Sequence, residues 1–274
     1  MSAVPLSRPM FGVFAVVCLT AGYASAQFLR GFGSAQMAPR EMPDRDFAVC
    51  RIMYTSVRNG NWAGGGWRTD ITAEMNLSIR LSELTKTRVS QGRDRRPNTW
   101  VVRLTDDALF NCPYTVASDV GTMGLSDVEA ERLRTYLLKG GFLWVDDFWG
   151  PDAWDAWVDE ISRVLPPSEY PIANVPLDDP IFTSQYTLKA LPQIPRMPFW
   201  IGTRGQTSEL GAASADTHFR AIRDKSGRIV VMMTHNNDIA DSWEREGENP
   251  AYFAAFGPAG YAIGINVLLY ALTH

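Results

Sequence analysis

The stretch Gly140-Gly141-Phe142-Leu143-Trp144-Val145-Asp146-Asp147-Phe148-Trp149-Gly150 constrains the fold more than any other. A helical pattern ends on a glycine pair, a short apolar run follows, and the run closes on two carboxylates, an aromatic residue and a glycine. An apolar run of this length between helical patterns predicts a buried central strand of a parallel sheet with helices on both faces. Ligands in such sheets bind beyond the carboxyl ends of the strands. Asp146 and Asp147 fall at that place.

The rest of the chain repeats the alternation. Phe47 to Tyr54 reads as the first strand. A loop rich in Asn, Gly and Trp follows, closing on Gly64-Gly65-Gly66-Trp67-Arg68-Thr69-Asp70, with Asp70 as an N-cap for the next helix. Strands are expected at Thr99 to Leu104 and Pro113 to Ala117. Ser126 and Glu129 have capping-box spacing at the start of a helix that Gly140 stops. After Pro151, the residues Trp154, Trp157, Val158, Ile161, Val164 and Leu165 form one helical stripe, and core packing explains these tryptophans best. Residues 166–200 are rich in proline and predict an irregular insertion with short strands. Phe219 to Ile222 and Arg228 to Met233 flank a turn and predict a hairpin. A last helix, Gly260 to Leu272, is apolar nearly all round and reads as too short for a membrane span.

Residues 1–26 carry the marks of a secretory signal: Arg8, the apolar run Phe11 to Leu19, and the small residues Ala24-Ser25-Ala26. Periplasmic or secreted localisation is expected, with an uncleaved membrane anchor as the alternative and no transmembrane helix in the mature chain. Residues 27–45 read as a flexible leader and 46–274 as a single domain. Removal of Arg8 with the signal leaves 25 basic residues against 30 acidic ones, which gives no electrostatic case for a nucleic-acid partner. Cys50 and Cys112 remain after cleavage. They either pair, as export permits, or Cys50 sits free in its strand as a small hydrophobe.

Three polar clusters follow strands: Gly64 to Asp70, Asp146 to Gly150, and His235 to Glu244. Parallel strands share one carboxyl edge, so these loops are expected to converge. Adjacent Asp146 and Asp147 cannot point the same way along a regular strand. One is expected to face the site while the other caps the helix that starts at Pro151. If both enter one pocket, they share a proton or hold a cation, and oxygen ligation suits Mg, Ca or Mn better than zinc. His235 is the strongest acid–base candidate because imidazole titrates near neutrality, against the alternative of a histidine that pins its own loop. His218 and His274 are weaker candidates. Trp67, Asp70, Trp149, Asn236, Asp238 and Asp241 complete the candidate ligand-binding set. No G-x-S-x-G elbow is present, so nucleophilic serine chemistry has little support.

GGGW-x-TD at Gly64 to Asp70 and L-x-x-YLL-x-GGFL-x-x-DDFWG at Leu133 to Gly150 resemble the bacterial family called domain of unknown function 4159. So do GR-x-x-x-x-x-THN-x-D-x-x-D-x-WE at Gly227 to Glu244 and IGIN-x-x-x-YALTH at Ile263 to His274. More distantly, the chain looks like class I glutamine amidotransferase-like domains of the trehalose-utilisation (ThuA-like) branch. That likeness implies a three-layer α/β sandwich with a mostly parallel, flavodoxin-like sheet. It places Asp146 and Asp147 where the branch has polar site residues, and His235 near its late histidine. The nucleophilic cysteine of the amidotransferases has no counterpart, so glutamine hydrolysis does not transfer. Asp179-Pro180-Ile181-Phe182 lacks the histidine of the similar element in those relatives.

Two functions fit these features. One is an exported hydrolase-like or degenerate enzyme acting on a small polar or carbohydrate-like ligand. The other is a non-catalytic ligand-binding or assembly module of the cell envelope, with an envelope protein as its partner.

Overall fold

A computed structural model describes residues 36–58, 66–68 and 72–274. The expected signal sequence, Gly64, Gly65 and the expected cap Asp70 lie outside the described residues. The strands are β1 (Val49–Met53), β2 (Thr55–Ser56), β3 (Thr99–Arg103), β4 (Tyr114–Ser118), β5 (Met123–Gly124), β6 (Phe142–Phe148), β7 (Ile172–Asn174), β8 (His218–Arg223) and β9 (Ile229–His235). The described helices are α1 (Ala73–Leu84), α2 (Asp127–Leu138), α3 (Gly150–Val164), α4 (Met197–Gly202), α5 (Asp241–Glu244) and α6 (Pro250–Thr273). Seven strands form one sheet in the order β3-β1-β4-β6-β9-β8-β7, while β2 and β5 form a small second sheet. Strands β3, β1, β4, β6 and β9 run parallel, and β8 and β7 add antiparallel pairs at one edge. The protein is a three-layer α/β sandwich with a mostly parallel, flavodoxin-like sheet.

Side-chain alternation along β6 builds both faces. Phe142 and Trp144 enter a core shared with Leu77 and Leu81 of α1 and Ile265 and Leu268 of α6. Leu143 and Val145 enter the opposite core, with Leu133 and Leu137 of α2 and Trp157 and Ile161 of α3. A strand buried on both faces has to be apolar at every position until its function begins. Burial of Trp157, Ile161 and Val164 anchors α3, each contributing about 1.5–3 kcal/mol before entropy costs. Ser126 and Glu129 form the expected capping box at the start of α2, worth about 1 kcal/mol. Gly140 takes φ +110° after that helix. Gly141 admits no side chain, because a Cβ would lie 2.4 Å from the Tyr136 ring.

Cys50 and Cys112 form a disulfide with a Cα separation of 6.0 Å, tying β1 to the turn before β4. Cys50 is buried as well, so burial in a strand does not exclude pairing. In the leader, Gln36 and Ala38 hydrogen-bond to Val101 along the outer edge of β3, which covers an otherwise open strand edge. The segment 166–200 contains β7, a short 3-10 turn at Pro180–Phe182 and α4. Asp179 caps that turn, its Oδ1 accepting from the Ile181 amide, and its Oδ2 pairs with Arg223.

The last helix departs from expectation. It starts ten residues before Gly260, at Pro250, where the Asn249 side chain accepts from the Tyr252 amide. Pro258 lies inside it, although proline reads as a breaker in sequence. At 24 residues it is long and apolar enough to cross a membrane, so the expectation that it is too short does not hold. In this fold Tyr252, Ile263, Ile265, Val267 and Leu268 bury it in the core.

Candidate functional site

The chain leaves β1 for β3 on one side, then crosses to β4, β6 and β9 on the other. The point where the winding reverses lies between β1 and β4, the place at the strand carboxyl ends where ligands bind in such sheets. Three residues sit at the carboxyl ends of β4, β6 and β9 with left-handed backbones: Asp119 (φ 51°), Asp147 (φ 51°) and Asn236 (φ 58°). Each such conformation costs an L-residue roughly 1–2 kcal/mol, and glycine would avoid the cost. The Asp119 amide donates to the carbonyls of both Asp146 (3.2 Å) and Asp147 (3.1 Å). The Asp147 amide donates to Asn237 O at 3.0 Å, and the Asn236 amide to Phe148 O at 3.0 Å. These bonds lock the three strand ends together.

The β6–β9 register slips between Val145 and Phe148, so the adjacent carboxylates diverge. Asp146 accepts from Thr234 Oγ1 and from the Ala240 amide (2.9 Å). It also lines a cavity of about 20 Å³ with Arg51, Glu74, Tyr114, Ser118 and Trp144, enough for about one water. Asp147 accepts from Trp149 Nε1 at 3.1 Å. Neither aspartate caps α3. Asn236 does so instead, its Oδ1 accepting from the Gly150 amide at 2.8 Å.

Burial dominates the acid–base character of this edge. It pushes Asp146 up to about 7 against the hydrogen bonds from Thr234 and Ala240. Asp147 rises well above the ordinary carboxylate range, first through burial and then through the charges of Asp119, Asp146 and Glu209. Burial raises Asp119 to about 6, opposed by its 2.6 Å bond from the Gly66 amide. Glu209, likewise raised by burial to about 7, accepts from the Arg196 amide at 2.7 Å. Buried Arg51 on β1 pairs with buried Glu74 on α1 and donates to Ser118 Oγ.

The structure gives His235 a different setting. Its Nε2 lies 2.9 Å from Gly150 O, so it carries the proton and donates, leaving Nδ1 to accept from Arg220 at 3.4 Å. Its ring sits against Phe148 and Trp154, with centroids 5.0 and 5.1 Å away. Burial and the Arg220 charge lower it to about 4, so it is neutral at pH 7. Both ring nitrogens are engaged outside the carboxylate cluster.

The other candidates divide. Trp149 is buried on Asp147, while Trp67 is half-buried and presents its carbonyl to Arg51. Asp238 Oδ1 accepts from the Asp241 amide. Asp241, raised by burial to about 6, accepts from the Met197 amide, from the Tyr252 hydroxyl and from Arg245. The Asn236 carbonyl, the Asp238 amide and the Asp241 carboxylate tether this loop to Gln193, Ile194 and Met197. Among the described residues no group of three or more His, Cys, Asp or Glu is arranged to hold a metal ion.

Sequence reasoning missed Asp119 and Glu209. Asp119 follows a strand just as Asp146 does, and that position was the available signal. Glu209 carries none, because it reaches the site from a loop 60 residues beyond Trp149 in the chain. A larger cavity, about 750 Å³, opens at the amino edge beside Phe47, Cys50, Trp100 and Pro113. It lies away from every carboxylate described above.

Fold and site together define an α/β sandwich protein with buried, strained carboxylates at the carboxyl edge of its sheet. The chain belongs to the family described as domain of unknown function (DUF4159), which matches residues 51–272. No curated protein matches the chain.

Proposed function

We propose that this protein is an exported, hydrolase-like enzyme whose carboxyl-edge acids act on a small polar or carbohydrate-like ligand. The observation that carries this reading is the convergence of Asp119 and Asp147, both left-handed, at neighbouring strand ends with Asp146 beside them. Strain of this kind persists where the surrounding structure enforces it, and it concentrates at functional sites. Carboxyl groups kept protonated near neutral pH can donate a proton to a leaving group, and their conjugate bases can activate water. In this reading Asp146 and Asp147 are the acid–base pair, Asp119 tunes Asp147 by its charge, and Trp67 and Trp149 border the ligand. His235 is a positioning residue that holds the start of α3 through Gly150. The disulfide favours export, since such bonds persist in oxidising compartments. The distant likeness to the ThuA-like branch agrees with a polar site at this edge.

The internal bonding of Asn236, Asp238 and Asp241 favours a second reading, a module that binds without chemistry. One screen separates the two. Wild type and Asp147→Asn are assayed against chromogenic glycosides, esters and amides, and in parallel by thermal shift with sugars, Mg, Ca and Mn. The enzyme reading expects turnover in wild type that Asp147→Asn abolishes without loss of fold. Stabilisation by a sugar with no turnover in either protein establishes the binding module instead. Stabilisation by a divalent cation that the variant loses would add a metal to the site.

A further inference from the structure

Strand β8 runs antiparallel to β9, in a register that pairs His218 with His235 and Arg220 with Met233. His218 and Arg220, two residues apart, therefore share a face of the sheet. The rings of His218 and His235 stack at 5.7 Å with an interplanar angle of 16°. The Arg220 guanidinium lies 4.1 Å from the centroid of Trp154, and its Nη1 reaches His235 Nδ1. Trp154, from the stripe expected to be core, is partly buried against that core and also turns a ring face to the cation.

Arg220 has no counter-ion among the described residues. Arg51, Arg196, Arg223, Arg228 and Arg245 each meet an aspartate or glutamate. Arg220 is half-buried and meets none among the described residues. Its described contacts are a neutral imidazole and an aromatic face. A guanidinium has five N–H donors in a planar fork that matches the two oxygens of a carboxylate or phosphate. Stacking on tryptophan removes the rotamer freedom that such recognition would otherwise have to freeze.

We propose that Arg220, His218 and Trp154 form an oxyanion site, on the β8 side of the carboxyl edge, that takes the carboxylate or phosphate group of a small ligand. The site is cationic and uses none of Asp119, Asp146 or Asp147, so it stands independently of the acid–base reading. Burial and the Arg220 charge hold His218 down, while Asp216 pulls it up. His235 also faces it, and Asn174 of β7 stands in register with Arg220. An anion on Arg220 neutralises the charge that disfavours protonated His218. Protonation and anion binding therefore reinforce each other, and affinity rises as pH falls.

The chain has three histidines, which keeps its imidazole NMR spectrum simple. The full chain is titrated with inorganic phosphate and separately with acetate, at constant ionic strength, near pH 6 and near pH 8. Expected is a saturable shift of the His218 signals, tighter near pH 6, with the His218 pKa raised by the anion and His274 unmoved. Arg220→Gln is expected to weaken binding about tenfold or more, the loss of a charge-assisted hydrogen bond. Arg220→Lys, which keeps the charge and loses the fork, falls between. Whichever probe binds tighter identifies the ligand's anionic group. Linear, unsaturated shifts in wild type, or equal affinity in wild type and a folded Arg220→Gln, overturn the proposal. The pH dependence of acetate binding to wild type, with a probe whose charge is constant over this range, decides the matter even if a variant fails to fold.

Discussion

The two edges of the central sheet are built on opposite terms. At the amino edge polar groups are spent on holding the backbone. Arg228 pairs with Asp224 and donates to the carbonyls of Leu137 (3.0 Å), Gly140 (3.1 Å) and Gly141. The Tyr136 hydroxyl donates to Cys112 O at 2.8 Å, next to the disulfide. At the starts of β6 and β9 the residues with left-handed backbone are glycines, Gly140 and Gly227. At the carboxyl edge Asp119, Asp147 and Asn236 take left-handed conformations that glycine would adopt without strain, and burial disfavours the ionised carboxylates. One edge lowers the free energy of the fold. The other carries free energy that the fold must offset, the expected signature of a site kept for function.

This contrast can be broken from either side. The largest effect is expected at the amino edge. Opening the disulfide, by reduction or by Cys50→Ser with Cys112→Ser, releases a crosslink spanning 62 residues. Denaturant unfolding should then show a loss of about 4 kcal/mol. Arg228→Ala removes several charge-assisted bonds to carbonyls and should cost about 2 kcal/mol in the same assay. A variant as stable as wild type would show that the amino edge is not the anchor.

The pH profile sharpens the comparison. Asp146, Asp147, Asp119, Glu209 and Asp241 all have raised pKa values in the fold. Between their unfolded and folded values the native state binds more protons, so stability falls as pH rises from about 4 through 7. Asp147 extends that fall to higher pH. His235, lowered to about 4, acts in reverse. The unfolded state takes up its proton first, so stability is lost as pH drops from about 6.5 towards 4. Thermal melts should therefore peak in mildly acidic solution. A maximum at pH 8 or above would mean that the carboxylates are ionised and compensated in the fold.

Much of the architecture was legible in sequence because it rests on periodicity. The run Phe142 to Val145, the stripe through Trp157 and Ile161, the Ser126 capping box and the hairpin at Asp224 are local patterns with local causes. The start of α6 was not legible, since Pro258 punctuates a helix that tertiary burial sustains. The place of Asp146 and Asp147 at the carboxyl edge of the sheet was legible in sequence, and their surroundings only partly. No residue type announces a left-handed aspartate. The bulge that separates Asp146 from Asp147 arises from the pairing of β6 with β9, more than 80 residues apart in the chain. His235 reads as a base in sequence because its residue type titrates near neutrality, whereas its bonding and lowered pKa depend on Gly150 and Arg220, which only the fold brings to it.

The central claim is that the carboxyl edge holds carboxylates at a cost to stability. Asp147→Asn tests it most directly, with unfolding free energies of wild type and variant compared near pH 5 and near pH 9. The amide removes the buried charge while an oxygen remains for Trp149 Nε1. The variant is expected to be more stable than wild type near pH 9, because burial and neighbouring charges disfavour the ionised Asp147, and the gap should narrow near pH 5. A variant that is less stable than wild type near pH 9 would show that the ionised Asp147 supports the fold, contradicting the account.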